Sequence, residues 1–305
     1  MLELWEAADN AGLPPLPNRH STRPWGLAPC PSVPPCLCPL GSRPVGANLI
    51  SPEARIHRRA SGCTPPQPQV LFTVMDFAAV RDNVERVRGE IAAVQHEEGL
   101  TGDVRLIAVT KGHGPEAVRL AARAGVLDVG ENRVQEALAK QDASTDVPVR
   151  WHLIGHLQTN KAKFVAGRFA MVHSIDSLRA AGALDGAIGR SVEAGKRTPV
   201  LLQVNVAGET QKNGCEPDEA DAIRDGVSGM VHLDLVGLMT MAPFTDDVAT
   251  QRRAFAGLRT LRDRLSTAAT PLTELSMGMS GDYRAAVAEG ATMVRLGTVL
   301  FGART

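Results

Sequence analysis

Eight short apolar runs, each set apart from the next by a helix-like stretch, constrain this chain more than any other feature of its sequence. The runs are RLIAVTK (105–111), LDVGEN (127–132), WHLIG (151–155), MVHSID (171–176), PVLLQVN (199–205), LDLVGLMTM (233–241), ELSMGMS (274–280) and MVRLGTVLFG (293–302). Amphipathic segments such as PEAVRLAARAG and QRRAFAGLRTLRDRLSTAA lie between them. Strands that alternate with helices pair in parallel, because each helix carries the chain back to the starting edge of the sheet. A count of eight favours closure into a single α/β barrel of the TIM (β/α)8 type over an open doubly wound sheet. No GxGxxG follows the first run, which removes the main dinucleotide signature.

Such a barrel takes roughly 250 residues, and the first 74 residues of the chain are of a different material. They hold 14 of the 20 prolines and Cys30, Cys36, Cys38 and Cys63, and all six lysines come after residue 110. Proline this dense blocks both helical and sheet ladders, so residues 1–74 are expected to be disordered. The CxC at Cys36 and Cys38 lacks the second ligand pair that a tetrahedral metal site needs. At Met75 the sequence changes to MDFAAVRDNVERVRGEIAAV, where Phe77, Val80, Val84, Val87 and Ile91 recur at helical spacing. Met75 is therefore read as lying near the natural start, and the barrel as residues 75–305.

Charge narrows the partners. Lys plus Arg and Asp plus Glu both number 33, so no net field draws nucleic acid. No apolar run approaches the roughly 18 residues of a membrane span, and no basic-then-apolar leader opens the chain. The expectation is a cytoplasmic protein with no nucleic-acid or membrane partner.

In a barrel of this kind the working residues lie at the C-terminal ends of the strands and in the loops that follow. The ends of the eight runs supply Lys111, Glu131 with Asn132, His152 with Gly155, His173 with Asp176, Asn205, Met239 to Met241, Ser276 to Ser280, and Arg295 with Gly297 and Thr298. Lysine is rarely buried unless paired. Lys111, delivered at the end of RLIAVTK, either marks where the strand leaves the core or is a nucleophilic amine in a pocket that depresses its pKa. Barrels often bind phosphate with the loops after strands 7 and 8, and SMGMSGD and RLGT offer glycines and hydroxyls there. A lysine across the mouth from a phosphate cradle, with Arg295 to face a ring nitrogen, meets the needs of pyridoxal 5'-phosphate.

Other readings of these residues are plainer. His152, His156 and His173 have few carboxylates near them and no HxH on the first strand, so a metal hydrolase is not favoured. Lys161 and Lys163 read as a solvated helix face, and Cys215 as an inert thiol.

The stretches AVTK, DVGENRVQEAL, WHLIGHLQTNK, LLQVNVAGETQKNGC, LVGLMTMAPF, LSMGMSGDY and VRLGTVLFGAR resemble, in order and spacing, the pyridoxal phosphate homeostasis proteins, from about Met75 to Arg304. The resemblance implies a barrel of the alanine racemase N-terminal type with pyridoxal phosphate in Schiff-base linkage to Lys111. It also implies that Asn132, His152 and Asn205 line the cofactor, that Ser276, Gly278, Gly297 and Thr298 hold its phosphate, and that Arg295 faces the pyridine nitrogen. Gly112-His113 departs from the Thr-Lys pair common after the family's reactive lysine. The implied role is intracellular cofactor homeostasis by a monomer: reversible binding, buffering and transient delivery to apo-enzymes. The alternative is a small amino-acid racemase or lyase. Racemases of this barrel add a second domain and a catalytic tyrosine, whereas here the chain stops soon after the last run. Its only tyrosine, Tyr283, reads as packing and local hydrogen bonding.

Overall fold

The computed structural model describes residues 76–303, apart from 192–194 and 209–212. The segment expected to be disordered, its cysteines and the change of pattern at Met75 lie outside the described residues. Helix α1 (Phe77–Glu97) comes first. The Asp76 side chain caps it by accepting from the Ala78 N–H, and Val80, Val84, Val87 and Ile91 form its buried stripe.

The strands and helices then alternate as the pattern predicts: β1 (Arg105–Val109), α2 (Pro115–Arg123), β2 (Asp128–Glu131), α3 (Val134–Ala143), β3 (Arg150–Leu153), α4 (Ala162–Val165), β4 (Met171–Ile175), α5 (Leu178–Gly189) and β5 (Thr198–Gln203). They continue with α6 (Ala220–Ser228), β6 (Leu233–Met239), α7 (Val248–Leu265), β7 (Glu274–Ser276), α8 (Tyr283–Ala288), β8 (Met293–Leu296) and α9 (Thr298–Phe301). All eight strands are parallel and close in sequence order, with β8 returning to β1. The open-sheet alternative is excluded.

Every strand is shorter than the apolar run that announced it. The run MVRLGTVLFG divides at Gly297 into a strand and the short helix α9, because a brief apolar run fits either element and periodicity cannot choose between them. ELSMGMS gives only three strand residues, and the remainder leaves the sheet.

Side chains alternate between two environments along each strand. One face meets the helices and forms the main core, including Leu106, Ala108, Leu153, Leu202, Leu238, Leu275 and Phe255. The other faces the barrel axis, where Ile107, Met171, Leu201, Met239 and Met293 form a small apolar cluster. The rest of the interior is polar. Arg105 pairs with Glu274 at 3.3 Å, and Asp128, His152, His173, Ser276 and Arg295 are all buried there.

Strand β6 runs so close to β7 that a Cβ on Gly237 would lie 2.0 Å from the Glu274 carbonyl oxygen. Both groups are backbone, so neither can turn aside. Gly237→Ala is expected to lower stability by about 3 kcal/mol, as overpacking does, read as a fall in the urea midpoint at unchanged slope.

Candidate functional site

The barrel closes along the seam where β1 meets β8. Ile107 lies beside Arg295 and Ala108 beside Leu296, so the two chains leave the barrel together. Lys111 comes two residues after the end of β1, half-buried in the turn that leads to α2. Arg105, Ile107 and Val109 share one parity, and Lys111 continues it.

The residues on either side of Lys111 are tied down from outside the barrel. Lys140, on α3, is buried and spends its ammonium protons on the Thr110 carbonyl (2.7 Å), Glu131 Oε1 (2.6 Å) and Glu136 Oε1 (2.9 Å). Glu136 Oε1 also accepts from the Gly112 N–H at 2.7 Å. Thr110 Oγ1 donates to Glu131. Gly112 has φ of 75°, a left-handed turn that a side chain would strain. The turn that presents Lys111 is therefore clamped on both sides by one buried ion cluster. Burial pushes the Glu131 carboxyl up, against the pull of Lys140 and Thr110, and its Oε2 has no hydrogen-bond partner among the described residues.

Across the mouth, Arg295 enters from β8 and is buried. Its Nη1 donates to Ser276 Oγ at 2.7 Å and its Nη2 to the Thr240 carbonyl at 2.8 Å. Burial brings its pKa down to about 10, which leaves it charged at neutral pH. Gly278 follows β7, and its carbonyl accepts from the Arg295 N–H. The amides of Gly297 and Val299 both donate to Ser280 Oγ at 3.3 Å, so the loops after β7 and β8 converge where a phosphate cradle is expected. Thr298 opens α9 beside them.

The structure sorts the expected site residues into two levels. Lys111, Asn132, Asn205, Gly278, Gly297 and Thr298 follow their strands and stand at the mouth. His152 and Ser276 lie lower, inside the barrel. His152 is held between Asp128 and His173, and the Ser276 hydroxyl between His173 and Arg295. The hydroxyl of Ser276, expected to hold phosphate, bonds Arg295, and the hydroxyl of Ser280 meets the loop amides. Asn205 is fixed through its amide N–H to the Cys215 carbonyl and through Nδ2 to Glu216.

Burial, followed by the charge of Glu219, pushes the Cys215 thiol up to about 12, which leaves it unreactive. Among the described residues no His, Cys, Asp and Glu group forms a metal cluster, and no helix is long and apolar enough to cross a membrane. Tyr283 is buried, and its hydroxyl donates to Glu90 on α1. Lys140 was missed at the sequence level. The Glu136–Lys140 spacing on one helix face was visible, but such a pair usually lies in solvent.

The barrel with its lysine turn defines the class. A family described as the alanine racemase N-terminal domain matches residues 75–305. The alanine racemase of Clostridium difficile, 18% identical at a TM-score of 0.58, shares the fold. Nearer relatives narrow the assignment. The pyridoxal phosphate homeostasis protein of Pseudomonas aeruginosa is 42% identical over 232 residues, covering 75% of this chain and 97% of the relative. Its counterpart in Aquifex aeolicus is 39% identical over 201 residues, covering 66% and 87%. PipY of Synechococcus elongatus, solved without and with pyridoxal phosphate, is 39% identical at TM-scores of 0.66 and 0.65, covering 73% of this chain and 100% of PipY. The chain belongs to the pyridoxal phosphate homeostasis protein family.

Two predictions follow from the clamp and from Tyr283. Lys140→Met strands two carboxylates in a buried site and is expected to cost about 3–5 kcal/mol, whereas Lys140→Met with Glu131→Gln recovers part of that loss in the same denaturation curves. For Glu90, the hydrogen bond from Tyr283 outweighs the opposing effect of burial and, with Arg284 and Arg86, holds the carboxyl down to about 2. A depressed carboxylate stabilises the fold above the unfolded-state value of about 4.3 and loses that contribution as pH falls. The stability gap between the native protein and Glu90→Gln is therefore expected to shrink between about pH 4.5 and pH 2, followed by urea titration at each pH.

Proposed function

We propose that this chain binds pyridoxal 5'-phosphate reversibly at the mouth of the barrel, buffers it inside the cell as a monomer, and passes it transiently to apo-enzymes. The observation that carries this reading is the pairing of β1 with β8, which runs the strand that leads to Lys111 beside the strand that bears Arg295. The donor set fits the cofactor: one amine, one buried guanidinium, and loop amides that already converge on a hydroxyl oxygen. The names of the relatives and the cofactor bound in PipY support it.

When bound, the cofactor supplies an aldehyde that condenses with a lysine amine, releasing water, and is freed again by hydrolysis. Lys111 is the amine. Gly278, Gly297 and Thr298, with Ser280, hold the phosphate through backbone amides and hydroxyls, and Asn132 and Asn205 border the ring. Arg295 would face the ring nitrogen as a donor. A guanidinium that keeps its proton leaves that nitrogen unprotonated, which weakens the ring as an electron sink and favours storage over bond breaking at an amino-acid Cα. His152 and Ser276 support Arg295 from below.

The test is the visible spectrum of purified protein loaded with pyridoxal phosphate, before and after borohydride, followed by mass mapping. A coloured species that borohydride fixes on Lys111, and that Lys111→Ala fails to form there, is expected. A protein that stays colourless and unmodified refutes the reading. Rapid exchange of amino-acid Cα hydrogen with deuterated solvent in the loaded protein would point instead to a racemase or lyase.

A further inference from the structure

Arg295 ends a continuous chain of hydrogen bonds that crosses the barrel interior. Asp128 Oδ1 meets His152 Nε2 at 2.8 Å, His152 Nδ1 meets His173 Nε2 at 2.9 Å, and His173 Nδ1 meets Ser276 Oγ at 2.9 Å. Ser276 Oγ then accepts from Arg295 at 2.7 Å. None of these five residues is more than 5% exposed.

Each link dictates the next. Burial works against charge on Asp128, but hydrogen bonds from Arg150 and His152 outweigh it and hold the carboxyl well below the usual range. An ionised carboxylate only accepts. His152 therefore carries a proton on Nε2, and its Nδ1 shares one proton with His173 Nε2. His173 is kept neutral chiefly by burial, and then by the charges of His152, Arg295 and Arg105. Ser276 Oγ meets His173 Nδ1 on one side and accepts from Arg295 on the other. One carboxylate, four contacts away, anchors the far end of the chain.

We infer that Asp128, His152 and His173 are positioning residues that hold Arg295 as an oriented donor and so keep the ring nitrogen of the cofactor captured by Lys111 unprotonated. The inference rests on the cofactor reading above. Nη1 is held by the chain and Nη2 by the Thr240 carbonyl, so the guanidinium is fixed at two of its nitrogens. Breaking the chain frees it to swing and opens the ring nitrogen to a solvent proton.

The experiment uses the full chain loaded with pyridoxal phosphate carrying 15N in the ring. The native protein is expected to show the resonance of an unprotonated ring nitrogen at neutral pH. His152→Leu and His173→Leu are expected to move it toward the protonated position and to weaken cofactor binding about tenfold, the scale of one hydrogen bond to a charged group. His173→Gln keeps one donor and one acceptor, and is expected to restore at least half of the shift. Should the leucine variants fail to fold, Ser276→Ala cuts the same link by deleting one hydroxyl and carries the same expectation. Variants that bind more weakly with an unmoved resonance overturn the inference alone, since that is what a structural role produces. A native protein whose Lys111 takes up no cofactor overturns both this inference and the cofactor reading.

Discussion

The parallel pairing of β8 with β1 is the contact on which the rest of the site depends. Without it the chain would be an open sheet with Lys111 beyond one strand edge and Arg295 on another, each edge a row of unpaired amides and carbonyls. Closure removes the edges and sets Ile107 level with Arg295. It also brings the Gly297 backbone against Val109, where an added Cβ would lie 3.3 Å from the Val109 carbonyl oxygen. The two loops that leave this seam are those expected to meet the two ends of one ligand.

Closure also creates an interior that most barrels fill with branched apolar side chains. Here the apolar share is a small cluster around Met239, and the rest is occupied by Arg105 with Glu274 and by the chain from Asp128 to Arg295. A buried ion is costly unless its partners are complete. Asp128 has both Arg150 and His152, Arg295 has Ser276 and Thr240, and Glu274 has Arg105 and Thr292. A polar interior satisfied this fully is stiff, because each residue that moves must break a bond its neighbour cannot replace.

Much of this was legible in the sequence, and the limits have physical causes. The alternation of runs and helices carried the barrel, and the stripe from Val80 to Ile91 carried α1. Ranking candidates by how near they fall to the end of a run singled out Lys111, Gly278 and Arg295, and it set His152 and Ser276 beside them without showing that these two side chains bond one another's neighbours inside the barrel. Height along a strand and direction across it are independent, and only the alternation of side chains separates them. The helix α9 was hidden because TVLF is too short to show a period. Lys140 was hidden because its main partner, Glu131, lies on a different element, and a sequence shows helix-face neighbours but not contacts made by folding.

Strand β2 shows how much depends on that alternation. Its four residues read DVGE, and a period of two turns Asp128 inward and Glu131 outward. Asp128 begins the interior chain that ends on Arg295. Glu131 anchors Lys140 and, through it, the turn that presents Lys111. A slip of one residue in the pairing of β2 would exchange the two faces, and so remove both supports at once. The register of Asp128 with Ile107 and Arg150 therefore carries the geometry of the mouth as well as the closure of the sheet. The two groups expected to hold the cofactor, one on each side of the seam, take their orientation from a strand that bears neither of them.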